Sequence, residues 1–538
     1  MKELSRRTFM KRVAVGGATM TWLYTGIDFA HAAGEETFNV RIIHTNDHHA
    51  RIEPVLNGTT PVHGGVSRRK TMIDAIRSQG GNQLLIDAGD VFQGTLWFNQ
   101  YRGLADAEFY NAMGYEAMTI GNHEFDLGQQ PLANFAKSVN FPVLSANLVI
   151  DPSSPLFGMV KPYIVKWFDK EPVGIFGLTT EETITLANPG RGVAFADPIR
   201  TAQWVVQDLR ARGVKKIIAL THIGIDNDIA LARSVEGINV IIGGHSHTPQ
   251  GPQAAPSGPN RPYPEVVASP SGKPVIVATD WEWGRWLGDL TVGFDANGEI
   301  TRVVAGRTKE VSPSIEPDQG FEGRIGTLSK PINDLRKQAV GSSSVLLNGA
   351  RADVRAKETN LGNLIADSSI AKTRPNGAQL AIVNSGGIRT SIPAGQVTLG
   401  QVIEVMPFGN TLIVLDLSGA QVKAALENGV SRFPAAEGRF PQVGGMRYTF
   451  DPRNAAGNRI TKIEIARDGG FVAINPAASY RVVVNNFVAT SGDGYSVMLQ
   501  ASNVVNAGFV DSDVLAEYIQ ANSPVNPQVE GRITNAAG

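Results

Sequence analysis

Asn122, His123, Glu124 and Asp126 stand together in Gly121-Asn122-His123-Glu124-Phe125-Asp126, directly after the apolar run Met118-Thr119-Ile120. An amide, an imidazole and two carboxylates delivered at the carboxyl end of a buried strand can ligate a metal, hold a proton or stabilise charge. Four further apolar runs end in the same way. Val40–Ile43 leads into His44-Thr45-Asn46-Asp47-His48-His49, and Leu84–Ile86 into Asp87-Ala88-Gly89-Asp90. Ile217–Leu220 leads into Thr221-His222, and Val240–Ile242 into Gly243-Gly244-His245-Ser246-His247. All histidines except His31 fall between His44 and His247, and His49, His123, His222, His245 and His247 sit at strand ends, a segregation that scattered core histidines would not show. The chain has no cysteine, which excludes disulfides, thiolate metal sites and cysteine nucleophiles.

Asp47, His49, Asp90, Asn122, His222, His245 and His247 are hard or borderline donors, enough for two divalent cations. Asp47 and His49, like His245 and His247, are alternate residues; in an extended segment each pair points one way and can clamp one ion. Asp90 is the natural bridging carboxylate. Two ions about 3.5–4 Å apart would hold a shared hydroxide and both ends of an in-line displacement at phosphorus.

The elements that must position these residues are legible in outline. From Phe38 onward short apolar runs alternate with amphipathic stretches, the pattern of α/β units. Residues 251–274 are rich in Pro, Gly and Ser and read as a surface excursion before the strand at Pro274–Ala278. A polar stretch at 312–320 precedes a helix over 321–340 interrupted by Pro331, and the domain boundary is placed there. The second half opens with a helix over 360–372 and turns strand-rich, at 411–417, 446–450 and 480–485. It contains no histidine and is better equipped for substrate than for metal. There is no internal repeat.

At 538 residues and 42 % hydrophobic content the chain is long enough for two or three domains. The formal net charge is −1, and Lys2, Arg6, Arg7, Lys11 and Arg12 concentrate positive charge in residues 1–32, which leaves the remainder acidic. That balance argues against an electrostatic grip on long nucleic acid. Ser5-Arg6-Arg7-Thr8-Phe9-Met10-Lys11, an uncharged stretch from Val13 to Ile27 and Ala30-His31-Ala32 form the pattern of a twin-arginine export signal cleaved near Ala32–Ala33. The stretch falls short of the roughly 20 residues a membrane span needs, so a periplasmic protein without stable membrane insertion is expected.

HTNDHHA (44–50), GDVFQGT (89–95), GNHEFD (121–126), THIG (221–224) and GGHSHT (243–248) together resemble the motif series of calcineurin-like metallophosphatases, specifically the exported 5′-nucleotidase family. The resemblance implies an α/β (α+β overall) architecture: a four-layer α/β/β/α metallophosphoesterase domain over 38–311, a linker helix at 312–340, and a smaller mixed α/β substrate-binding domain over 341–538. It implies that Asp47, His49 and His247 hold one ion, that Asn122, His222 and His245 hold the other, and that Asp90 bridges. The ions would be Zn, Mn, Co or Fe. His123 would be catalytic, oriented by Asp126 rather than Glu124. Ala50 stands where the family usually has Gly; neither offers a ligand, so little consequence is expected.

The second half resembles the same family's carboxy-terminal domain through Asn384-Ser385-Gly386-Gly387-Ile388-Arg389, Pro407-Phe408-Gly409-Asn410, and Asn486-Phe487 with Gly492-Asp493-Gly494-Tyr495. By that resemblance Phe408 and Phe487 sandwich a base, a contact worth roughly 1–3 kcal/mol. Asn410 would meet the base edge, Asp493 the ribose, and Arg351, Arg355 and Arg389 the phosphates, with Asn384 opening the loop that ends at Arg389. Lys357 competes with Arg351 and Arg355 for that last role.

The expected activity is metal-dependent hydrolysis of nucleoside monophosphates to nucleoside and phosphate, by a monomer or weak dimer in nucleotide catabolism, exported by the twin-arginine machinery. A hinge near 312–340 would carry substrate in. The alternatives are 2′,3′-cyclic phosphodiesterase, UDP-sugar hydrolase, a two-manganese thiosulfohydrolase, or a binding module with a vestigial metal site.

Overall fold

The computed structural model describes residues 27–28, 34–57, 60–187, 189–251, 261–467 and 469–537. The export motif at 5–11 and the cleavage site near Ala32–Ala33 lie outside the described residues. Among the described residues no helix is long and apolar enough to cross a membrane.

Two sheets form the first half. One has eight strands, with Trp286–Asp295, Glu36–Thr45, Gln83–Asp87, Ala117–Thr119 and Val143–Leu144 adjacent in that order. The other has six, with Glu171–Thr179, Lys216–His222, Val240–Gly243 and Pro274–Ala278 running parallel through its middle. Strand side chains alternate between faces, and here both faces are buried. Ile42, Leu84 and Ile86 point inward to meet Val173, Ile175, Ile218 and Leu220 of the second sheet. Ile43, Leu85 and Met118 point outward to Ile73, Phe109 and Phe135, which belong to the helices Val66–Arg77, Leu104–Met113 and Gln129–Ser138. On the far side Phe176, Leu178 and Ala219 pack on Val205, Leu209 and Leu231 of Pro198–Ala211 and Ile225–Ser234. The result is the four-layer α/β/β/α arrangement, with each buried aliphatic contributing about 1.5–3 kcal/mol. Within the expected excursion at 251–274 a strand, Glu265–Ala268, pairs antiparallel with Pro274–Ala278.

The carboxyl ends of the two sheets meet. Thr179 Oγ1 donates to the Ile120 carbonyl at 2.7 Å, and His222 Nδ1 reaches the Ala88 carbonyl at 2.7 Å.

The helix Gln319–Arg336 runs through Pro331 without a break. Proline at 331 removes one helical donor; Tyr101 Oη donates to the nearby Leu328 carbonyl at 2.6 Å, and Ile332 is buried, so packing holds the turn. Phe321 packs on Phe109 of the first half, while the last turn meets Gly400 of the second. Beyond it a five-stranded sheet ordered Pro441–Gly444, Leu380–Asn384, Ser479–Asn485, Thr411–Ser418, Ser502–Val510 stands beside a four-stranded one, with the helices Asn360–Thr373, Gly419–Val430 and Asp511–Ala521.

Candidate functional site

The loops leaving these strands are strained in a concentrated way. Asp47 (φ 51°), His49 (50°), Asp90 (55°), His245 (80°) and His247 (47°) all occupy the left-handed region, at about 1–3 kcal/mol each for a non-glycine residue. Backbone bonds hold them there: Asp47 N–H to Gly89 O and His49 N–H to Asp90 O, both 2.9 Å. Ala50 shares the conformation (φ 49°) and is fully buried, so alanine there carries strain that glycine would not. These segments are not extended, so the alternate residues His245 and His247 do not share one ion's group as their spacing predicts. His247 joins Asp47 and His49, while His245 joins Asp90 and His222.

The donors converge. His247 Nε2 is 3.1 Å from Asp47 Oδ1 and 3.1 Å from His49 Nε2; His222 Nε2 is 3.0 Å from Asp90 Oδ2, and His49 Nε2 is 3.9 Å from the same oxygen. In three of the imidazoles Nδ1 faces an outer oxygen, at Phe92 O for His49 (3.1 Å), Ala88 O for His222 (2.7 Å) and Glu282 Oε2 for His247 (2.7 Å). Each contact favours a proton on Nδ1 and aims Nε2 inward, where it can ligate a cation. Asn122 Oδ1 is buried without a hydrogen-bond partner, a debt of about 1–3 kcal/mol that a cation beside Asp90 would clear. The field has the sign a cation needs. Burial pulls His222 down, yet Asp90 and Asp47 raise it to about 9, and Asp90 itself, despite burial, is held well below the carboxylate range by His222 and His123. These groups can hold divalent ions.

His123 begins a single 3₁₀ turn, and its Nδ1 lies 2.7 Å from Asp126 Oδ2. Burial lowers its pKa, but Asp126 and Asp90 outweigh burial and raise it to about 9. Glu124 turns the other way. Its carboxylate accepts from the backbone N–H of Gly121 (2.6 Å), Asp90 (3.0 Å), Val91 (2.8 Å) and Phe92 (3.1 Å), tying the two central loops together.

The second constellation also converges. Asn384 Nδ2 donates to Asp493 Oδ2 at 2.8 Å, Asn485 Nδ2 to Asn384 Oδ1 at 2.9 Å, and Thr411 N–H to Asn486 Oδ1 at 3.2 Å. Arg355 is 7 % exposed; burial, Arg351 and Arg389 depress its pKa and Asp493 offsets them in part, so three guanidiniums share one neighbourhood. Lys357 is exposed and paired with Asp353 at 3.0 Å. Phe408 is 41 % exposed with the Arg389 guanidinium 5.5 Å from its ring centroid; Phe487 is half-buried against Gly492. Asn410 is buried beside Asp511, and Tyr495 is a core residue whose hydroxyl donates to Arg439 O. The two halves touch at the site itself. A Cβ on Gly508 (φ 70°) would lie 2.3 Å from His123 Cε1, and one on Gly409 would lie 2.2 Å from Arg51 Nη2.

Sequence reasoning missed Glu282, Arg51 and the part played by Glu124. The only signal for Glu124 was its place in the 121–126 stretch; for Glu282, the unusual run Trp281-Glu282-Trp283-Gly284-Arg285.

Two family models match the chain: "Calcineurin-like phosphoesterase" over residues 40–249 and "5′-nucleotidase, C-terminal domain" over residues 339–500. The trifunctional nucleotide phosphoesterase protein YfkN of Bacillus subtilis (strain 168) is 40% identical over 92% of this chain, which spans only 35% of that longer protein. The 5′-nucleotidase of Diplobatis ommata is 35% identical over 97% of this chain and 93% of its own length. Among solved structures, the 5′-nucleotidase precursor from Thermus thermophilus is 47% identical, covers 93% of this chain and 99% of its own, and superposes with a TM-score of 0.61.

Proposed function

The chain belongs to the 5′-nucleotidase family, and from that premise we propose that it hydrolyses the phosphate ester of nucleoside 5′-monophosphates at a centre of two divalent ions. The observation that carries the reading is the convergence of inward-facing Nε2 atoms on Asp47 and Asp90, with Asn122 Oδ1 buried and unmet. Asp47, His49 and His247 would hold one ion, Asn122, His222 and His245 the other, and Asp90 both. When bound, such ions supply Lewis-acid polarisation of the phosphoryl group and an activated water.

The chain's own residues do the rest. Asp126 fixes the His123 proton at Nδ1 and supports its positive charge, so that a protonated Nε2 can donate to a phosphoryl oxygen as charge builds. Arg351, Arg355 and Arg389 gather the phosphate as forked donors, and Asp493, held by Asn384, takes ribose hydroxyls. Phe408 and Phe487 offer ring faces to the base. Asn410, facing Asp511, reaches a base edge only if that side chain turns outward. Because Gly508 sits against His123, substrate reaches the dyad once the second half swings away. The helix Gln319–Arg336 moves with the first half through Phe321, which puts the bend at its last turn rather than along all of 312–340. An exported, periplasmic setting rests on the twin-arginine pattern in residues 1–32.

A substrate panel tests the reading. The metal-loaded chain should release phosphate from 5′-AMP with a higher kcat/KM than it shows on 2′,3′-cyclic AMP or UDP-glucose. A reversed order would replace the monoesterase reading with a phosphodiesterase one.

A further inference from the structure

The turn Asp280–Gly284 is distorted as the ligand loops are. Trp281 and Trp283 both lie in the left-handed region, at φ 91° and 60°, where bulky aromatic residues are rarely found. Such strain persists only where surrounding contacts over-determine it. Here Asn46 Nδ2 donates to Trp281 O at 2.6 Å, and Trp283 N–H donates to Asp47 O at 2.7 Å. The Trp283 ring lies under two guanidiniums, Arg51 at 4.3 Å and Arg285 at 4.2 Å from its centroid.

The residue this turn aims is Glu282. It is 6 % exposed, places Oε2 2.7 Å from His247 Nδ1, and has Oε1 3.4 Å from Arg285 Nη1. His49 and His222 give Nδ1 to backbone carbonyls, which fix a tautomer but carry no charge; His247 alone of the three gives it to a carboxylate. A carboxylate behind an imidazole raises the basicity of the opposite nitrogen as well as fixing its orientation. We propose that Glu282 is a positioning residue that sets His247 as the strong donor of the Asp47–His49–His247 ion, and that the strained Trp281–Trp283 turn exists to deliver it.

The inference rests on His247 being a ligand, as in the function proposed above. The test is a count of bound Mn²⁺ and a competition titration with a chromophoric chelator on the wild-type chain, Glu282→Gln and Glu282→Ala, with melting of each metal-free chain alongside. Glu282→Ala should weaken one of two ions by about 10–100-fold and leave the other in place, a selective loss that a general drop in the metal-free melting temperature would not produce. Glu282→Gln, whose amide oxygen can still accept from Nδ1, should lose less. Two ions held at wild-type affinity by Glu282→Ala would overturn the proposal. So would equal weakening of both ions in step with a lower metal-free melting temperature, which would assign Glu282 to structure alone. A wild-type chain that holds no ion would overturn the metal site itself, and Glu282's role with it.

Discussion

Replacing Glu124 with glutamine changes one oxygen for an NH₂ and should be costly. The carboxylate answers four buried N–H groups, Val91 and Phe92 at Oε1, Asp90 and Gly121 at Oε2, and is 1 % exposed. An amide keeps one acceptor oxygen, so one pair of donors is still met while the other pair faces an NH₂. Two buried, unmet N–H groups cost about 1–3 kcal/mol each, hence about 2–6 kcal/mol in all, a large share of the about 5–15 kcal/mol of net stability usual for a domain. The assay is urea unfolding of the metal-free chain, followed by hydrogen exchange at residues 89–92 and 121–124 to localise the loss. Exchange at those amides should quicken by at least tenfold. A loss below about 1 kcal/mol with unchanged exchange would show that the loops hold themselves and that Glu124 is not their tie.

Three further outcomes follow from the same geometry. Phe408→Ala should raise KM for 5′-AMP by roughly 5- to 150-fold with kcat little changed, the equivalent of about 1–3 kcal/mol of base stacking. Gly508→Ala adds a left-handed alanine and a clash with His123, together about 2–5 kcal/mol against the present contact of the halves, and should appear as faster hydrogen exchange at 502–510. Asp289 accepts from Arg41 Nε at 2.6 Å, with Lys309 Nζ also at 2.6 Å; burial raises its pKa, but Arg41 and Lys309 outweigh burial and hold it below the ordinary value. Its folded pKa lies below its unfolded one, so its contribution is present above about pH 4 and lost as pH falls through the folded value. Asp289→Asn should therefore destabilise the chain at pH 7, by about 2 kcal/mol, and the gap to wild type should close below pH 4 in urea-unfolding series.

The polar strand ends and the α/β alternation were readable because buried strands announce themselves by length and apolarity, and because every histidine but His31 falls between His44 and His247. That the strands divide between two facing sheets was not readable from periodicity: Ile42 and Ile43 both face cores, so no polar face marks which core is which. The division of His245 and His247 between two groups escaped the spacing argument because it depends on left-handed residues that no local pattern signals. Pro331 looked like a break and is not one, since tertiary packing of Phe321, Ile325 and Ile332 outweighs a single missing helical bond. Glu282 is separated from His247 in sequence by the strands Glu265–Ala268 and Pro274–Ala278, and the run Trp281-Glu282-Trp283 marks the turn as unusual without naming the histidine it meets.

The most direct measurement is phosphate release from 5′-AMP by the chain reconstituted with Mn²⁺ or Zn²⁺, beside His123→Ala. Release that falls by about 10²–10⁴ in kcat in the variant, with both ions still bound, is the predicted result. No release from a wild-type chain shown to hold two ions would contradict the account.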